Sequence, residues 1–138
     1  MKITTKGRYA MRVMLDLAEQ NGQNMAAVRG ISERQGVSPK YLEQIMTRLV
    51  RAGLAVGTRG SAGGYRLAKP TSEISAADIL AAVEQQDAVP LSEDENPKAA
   101  QFWLGFEKTV SDYLKAQTLE EILKNSRASR RDPSIWIL

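Results

Sequence analysis

Five consecutive residues, Gln35-Gly36-Val37-Ser38-Pro39, end one helix and begin another, and most of the architecture expected of the chain follows from them. Glycine takes the positive φ that closes a helix. Ser38 offers a side-chain oxygen to the free amides of the next helix, and Pro39 brings a fixed φ to its first position. After this turn Leu42, Ile45, Met46 and Leu49 recur at i, i+3, i+4 and i+7, which gathers them into one buried stripe. Before it, a shorter helix from about Ala27 to Gln35 buries Val28 and Ile31. The pair reads as a helix-turn-helix.

The second helix keeps a polar face. Lys40, Gln44, Thr47, Arg48 and Arg51 fall along it, with Tyr41 and Glu43 at its edges. Gln pairs bidentately with adenine, Glu accepts from cytosine N4, and Arg or Lys takes guanine or phosphate, so the face holds base-reading and phosphate chemistry. On this helix alone, a merely solvated face is an equally good reading. The segment that follows shifts the balance. Gly53 stops the helix, Leu54-Ala55-Val56 reads as a strand, Arg59-Gly60-Ser61-Ala62-Gly63-Gly64 cannot hold regular structure, and Tyr65-Arg66-Leu67 returns as a second strand. This is a wing. Gly60, Gly63 and Gly64 let the backbone approach a phosphate or a groove wall, and Arg59 supplies the cation that a narrow minor groove attracts. A nucleotide-binding loop would need a Gly-Lys-Ser/Thr ending and a helix directly after it, and neither is present.

Charge is divided along the chain. Residues 1–70 hold 12 Lys/Arg against 4 Asp/Glu, a balance of +8, whereas residues 71–138 hold 7 against 12, a balance of −5. A basic head on an acidic body fits a DNA-contacting unit. With no Cys and no His, the chain has no disulfide, thiol nucleophile, thiolate-held cluster or imidazole base. An enzyme is not expected, and no cofactor or metal. No apolar run reaches membrane-spanning length and the start has no signal-like core, so a cytoplasmic protein is expected.

Around this centre, Thr4 or Thr5 caps a scaffold helix to about Gln20, with Lys6, Gly7 and Arg8 at its start, where backbone amides and two cations could hold a DNA phosphate. Lys69-Pro70-Thr71 is a linker, and Ser75 caps a helix carrying Ile79, Leu80 and Val83. The expected division is a DNA-binding head over residues 1–83 and, over 84–138, a loop, a dimerisation helix and a tail. Pro90 and Pro97 bracket the acidic loop. From Ala99 to Ala116, Phe102, Phe106, Val110 and Tyr113 lie near helical spacing, flanked by Trp103 and Leu114. So apolar a helix packs on its own domain or on a second copy; the second is favoured, because paired readers span two half-sites. Thr118 then caps a short helix with Leu119, Ile122 and Leu123, followed by basic Lys124, Arg127, Arg130 and Arg131 and the apolar end Ile135-Trp136-Ile137-Leu138. The fold class is thus mainly α: a winged helix-turn-helix with a small two-stranded wing and a long C-terminal dimerisation helix.

Three stretches resemble a known family. Lys2-Ile3-Thr4-Thr5-Lys6-Gly7-Arg8-Tyr9-Ala10, Ser38-Pro39-Lys40-Tyr41-Leu42-Glu43-Gln44 and Arg59-Gly60-Ser61-Ala62-Gly63-Gly64-Tyr65 are similar to the IscR/CymR-type winged-helix regulators of bacteria. The resemblance implies a homodimer on a partly palindromic promoter site, with the Ser38–Gln44 face in the major groove and Arg59 in the minor groove. Many members hold an iron–sulfur cluster through three cysteines in the loop before the dimer helix. Here that loop, Pro90 to Pro97, has none, which excludes such a cluster. Its Glu93-Asp94-Glu95 and the aromatic helix look more like the clusterless, CymR-like members. For those, the resemblance implies a repressor of cysteine metabolism with cysteine synthase as partner. The tail then has two readings: an apolar strap on the dimer helices, or a mimic of the C-terminal peptide that cysteine synthase accepts from serine acetyltransferase, with Trp136, Ile137 and Leu138 in its site. An adaptor that kept the fold and lost DNA binding is the alternative function.

Overall fold

The computed structural model describes residues 3–20, 24–84 and 90–131, with the side chains of the last helix through Arg127. In chain order it contains α1 (Thr5–Glu19), α2 (Val28–Gln35), α3 (Pro39–Arg51), β1 (Ala55–Thr58), β2 (Gly64–Leu67), a 3-10 turn (Thr71–Glu73), α4 (Ala76–Val83), α5 (Pro97–Ala116) and α6 (Leu119–Arg131). None of these helices is long and apolar enough to cross a membrane.

Helix ends fall where the capping chemistry places them. The Thr4 hydroxyl accepts from the Gly7 amide at the start of α1. Gly36 takes φ +63° after α2, and Ser38 accepts from the Tyr41 amide with Pro39 at the first position of α3. Ser75 and Asp78 form a reciprocal capping box on α4.

One core joins α1, α2, α3 and α4 to the wing strands and the start of α6. Met14 and Leu17 of α1, Ile31 of α2, the Leu42, Ile45, Met46 and Leu49 stripe of α3, and Ile79 of α4 pack together out of contact with solvent. Leu119, the first residue of α6, is as fully buried as these and belongs to the same cluster. A backbone clasp seats it there: Ala76 N donates to Gln117 O at 2.7 Å, and Leu119 N donates to Ile74 O at 2.9 Å.

Four features depart from expectation. Val28 is only half-buried, packed against the edge of the core, while Ile31 is the one fully buried residue of α2. Helix α5 begins at Pro97, two residues earlier than expected, because Asn96 accepts from both Lys98 and Ala99 and proline suits a first turn that lacks amide partners. Helix α6 runs on through the basic residues to Arg131 instead of stopping short of them. The wing also gains one pairing from outside the hairpin, since Ala26 exchanges both backbone hydrogen bonds with Tyr65 at 2.8 and 2.9 Å.

Candidate nucleic-acid interface

The polar face of α3 is set by what holds α3 in place. Asp16, buried in α1, accepts from Nε and Nη2 of Arg34 at 2.8 Å each and from Nε2 of Gln35 at 2.7 Å. Arg34 and Gln35 are the last residues of α2, so this carboxylate pins the end of α2 to α1 just before the Gly36 turn and thereby sets the angle at which α3 departs. Along α3, Ser38, Pro39, Lys40, Glu43, Gln44, Thr47 and Arg51 are exposed. Tyr41 is half-buried, its ring edge-on to Tyr9 of α1 with centroids 5.9 Å apart. The Thr47 hydroxyl donates to the Glu43 carbonyl of its own helix. Arg48 does not join the exposed set. It is half-buried and its Nη1 lies 3.4 Å from the carbonyl oxygen of Val83, where α4 ends with unpaired carbonyls that attract a cation.

Strands β1 and β2 pair antiparallel, Ala55 with Leu67 through Thr58 with Gly64. Two of the three glycines answer to the wing itself. A Cβ on Gly63 would stand 2.1 Å from the Thr58 carbonyl oxygen, and one on Gly64, at φ +144°, would stand 2.0 Å from that of Ala26. Gly60, at φ +104°, faces open space beside the exposed Arg59. Between α3 and the wing runs an open groove of about 880 Å³, with Glu43, Thr47 and Arg51 on one wall and Thr58, Arg59 and Ser61 on the other. Tyr65 also lines it. Burial, and secondarily the Glu43 carboxylate, hold its hydroxyl above the ordinary tyrosine range.

At the start of α1, Arg8 is exposed and Lys6 half-buried. The anion found there is internal: Oε1 of Glu84 accepts from the Thr4 amide at 2.9 Å and from the Thr4 hydroxyl at 3.0 Å. Arg8 and Arg12, one turn apart, extend the cationic surface along α1, and neither has a carboxylate partner among the described residues. Arg12 is not among the residues expected from the sequence; it stacks on Tyr9 three residues before it on α1, and the fold brings Tyr9 against Tyr41.

The aromatic helix divides in two. Trp103, Val110 and Leu114 are half-buried on one face, together with Glu107, which accepts from the Leu91 amide of the preceding loop. Phe102, Phe106 and Tyr113 are on another face, 63%, 40% and 62% exposed. The Trp103 ring sits edge-on between Phe102 and Phe106, at 5.0 and 5.7 Å. Leu104, 59% exposed and absent from the expected set, adds to the uncovered apolar area. Trp136, Ile137 and Leu138 lie outside the described residues.

A helix-turn-helix whose second helix and two-stranded wing flank an open, cation-lipped groove defines a winged-helix transcriptional regulator. The chain belongs to the Rrf2 family, described as iron-dependent transcriptional regulators, which it matches over residues 3–125. It is 38% identical to the regulator IscR of Vibrio campbellii over 91% of this chain and 79% of that protein. It is 36% identical to the regulator CymR of Bacillus subtilis over 88% of this chain and 89% of that one. Among solved structures, that of CymR, the global cysteine regulator of B. subtilis, superposes with a TM-score of 0.81 at 34% identity, covering 91% of this chain and 98% of its own. The T. potens IscR superposes with a TM-score of 0.76 at the same identity over 91% and 88%. The family's iron does not fit the donor set here. The sequence holds no Cys and no His, and among the described residues no three acidic side chains converge on a common point.

Proposed function

We propose that the chain is a sequence-specific repressor that binds duplex DNA as a homodimer in the cytoplasm. The observation that carries this reading is the open groove between α3 and the wing, with Arg51 and Arg59 on opposite lips and Glu43 and Gln44 exposed beside it. An α-helix fits the major groove, while an arginine on a projecting loop fits the adjacent minor groove. In this reading Gln44 reads adenine and Glu43 cytosine. Ser38, Pro39, Lys40 and Tyr41 begin the contact in the first turn, Arg51 follows the backbone, and Gly60, Gly63 and Gly64 shape the loop that carries Arg59. Lys6 and Arg8 add phosphate contacts. Arg48 is left out of this set because its guanidinium turns toward Val83.

In this reading residues 1–83 carry the DNA contacts and residues 84–138 the pairing surface, with Leu119 of the second part completing the core of the first. The exposed stripe of Phe102, Phe106 and Tyr113 supports pairing with a second copy, since a two-fold contact would cover in both chains what one chain leaves open. The likeness to CymR, the global cysteine regulator of B. subtilis, supports genes of cysteine metabolism as targets, and the sequence resemblance extends this reading to cysteine synthase as a partner. A labelled-promoter shift assay with upstream DNA of such genes, titrated across salt, tests the reading. Binding that is specific and weakens steeply with salt is the expected result. A chain that shifts no duplex at low salt would instead be an adaptor on the same fold.

A further inference from the structure

Arg12 has no role in the contacts assigned above, yet the fold places it beside them. Its guanidinium carbon lies 5.2 Å from the centroid of the Tyr9 ring. That ring meets Tyr41 edge-on at 5.9 Å and 89°. Tyr41 in turn gives its backbone amide to the Ser38 side chain that caps the recognition helix. An exposed cation of α1 is therefore tied, through two aromatic rings, to the first turn of α3. The stacking restrains a long side chain that would otherwise sample many rotamers, and it leaves the edge of the guanidinium available to an acceptor. No carboxylate answers it among the described residues, where the three ion pairs use Arg29, Arg34 and Lys108. Arg8 lies one turn away on the same helix, so the two arginines form a short cationic row alongside the start of α3.

We propose that Arg12 is a phosphate-binding residue: its guanidinium takes a backbone phosphodiester flanking the bases read by α3, with Tyr9 as the positioning residue that aims it. The inference rests on the DNA-binding reading above. Arg12 then acts on affinity without selecting sequence, because a phosphate oxygen is the same beside every base.

The test is the salt dependence of binding to a duplex site, measured for the full chain and for Arg12→Ala, Arg12→Lys and Tyr9→Leu. Each phosphate contact contributes about 0.9 to the slope of log K against log salt, so losing one makes the affinity drop between 50 and 200 mM salt smaller by roughly 3.5-fold per protomer. Arg12→Ala should lose that slope with base preference and thermal stability unchanged. Arg12→Lys should keep it, and Tyr9→Leu should weaken binding while keeping the charge. An Arg12→Ala protein with the parental slope would overturn the assignment and leave DNA binding standing. A parental chain that binds no duplex at any salt would overturn both.

Discussion

The Glu84 carboxylate occupies the place where a side chain on Gly7 would begin: its Oε1 lies 2.0 Å from the position of a Cβ on that glycine. Glycine inside α1 forgoes about 1 kcal/mol of helix propensity relative to alanine. In exchange the carboxylate reaches the amide and hydroxyl of Thr4 and closes the end of α4 onto the start of α1. Val83, the residue before Glu84, accepts from Arg48 of α3. The start of α1 and the recognition helix α3 thus meet at consecutive residues, where α4 ends.

This contact makes Gly7 and Glu84 energetically dependent. Gly7→Ala alone should be neutral or destabilising, because the gain in propensity is offset by expelling the carboxylate from two hydrogen bonds that contribute about 0.5–1.5 kcal/mol each. In a Glu84→Ala background the same change should turn neutral or stabilising, by up to about 1 kcal/mol, with the Ile3 methyl 3.3 Å from the new Cβ limiting the gain. Urea unfolding of the four proteins gives the coupling directly. Strict additivity would show that the carboxylate does not hold this position in solution.

Asp16 is the second such joint. It is the only buried charged side chain among the described residues and takes three hydrogen bonds from the end of α2. Arg34 keeps access to water on its outer side, so its guanidinium can be rehydrated when the partner is removed. Asp16→Ala should therefore cost about 2 kcal/mol, near the value for hydrogen bonds to a charged group. Because the clamp sets the departure of α3, DNA affinity should fall further than the stability loss explains. Binding measured well below the melting temperature separates the two effects, and an affinity equal to the parent's would confine Asp16 to stability.

The local parts of the fold were legible because they are written in neighbouring residues. Gly36, Ser38 and Pro39 mark the turn, and the Leu42, Ile45, Met46 and Leu49 spacing marks the buried side of α3, as observed. The contacts between distant segments were not. Ala26 pairs with Tyr65 through backbone atoms that carry no side-chain signature, and Glu84 reaches Thr4 across 80 positions. Arg48 shows the limit most clearly: at helical spacing it belongs to the polar face, and only the position of α4 reveals an acceptor for it in Val83. The same holds for Phe102 and Trp103, adjacent and equally apolar in the sequence, one exposed and the other half-covered.

For the wing, the expected outcome is a loss of about 1–3 kcal/mol in specific binding on Arg59→Ala, the range for a side chain that reads a groove. Gln44→Ala should act differently, relaxing preference at one base position per half-site while sparing affinity for unrelated duplex. Selection of bound sequences from a random pool distinguishes them. Parental selectivity in the Gln44 variant would remove that residue from the readers, and parental affinity in the Arg59 variant would place the wing outside the minor groove.

Dimerisation can be tested without confusing it with folding, because the stripe on α5 is exposed within one chain. Phe102 and Phe106 are 63% and 40% exposed, so trimming both to alanine removes little from the interior. In a two-fold pairing each stripe meets its own copy, and aromatic anchors at the centre of such a contact often contribute at least about 2 kcal/mol each. The Phe102→Ala/Phe106→Ala protein should sediment as a monomer at concentrations where the parent is a dimer, with helix content and chain stability nearly unchanged. It should also lose specific DNA affinity disproportionately, since a single head spans one half-site. Trp103→Ala supplies the contrast. Its ring is half-covered and braces both phenylalanines at 5.0 and 5.7 Å, so its loss should lower stability as well as association. Should the double variant keep the parental mass while its melting temperature drops, α5 would be packing on its own chain, and the stripe would not be the contact between copies.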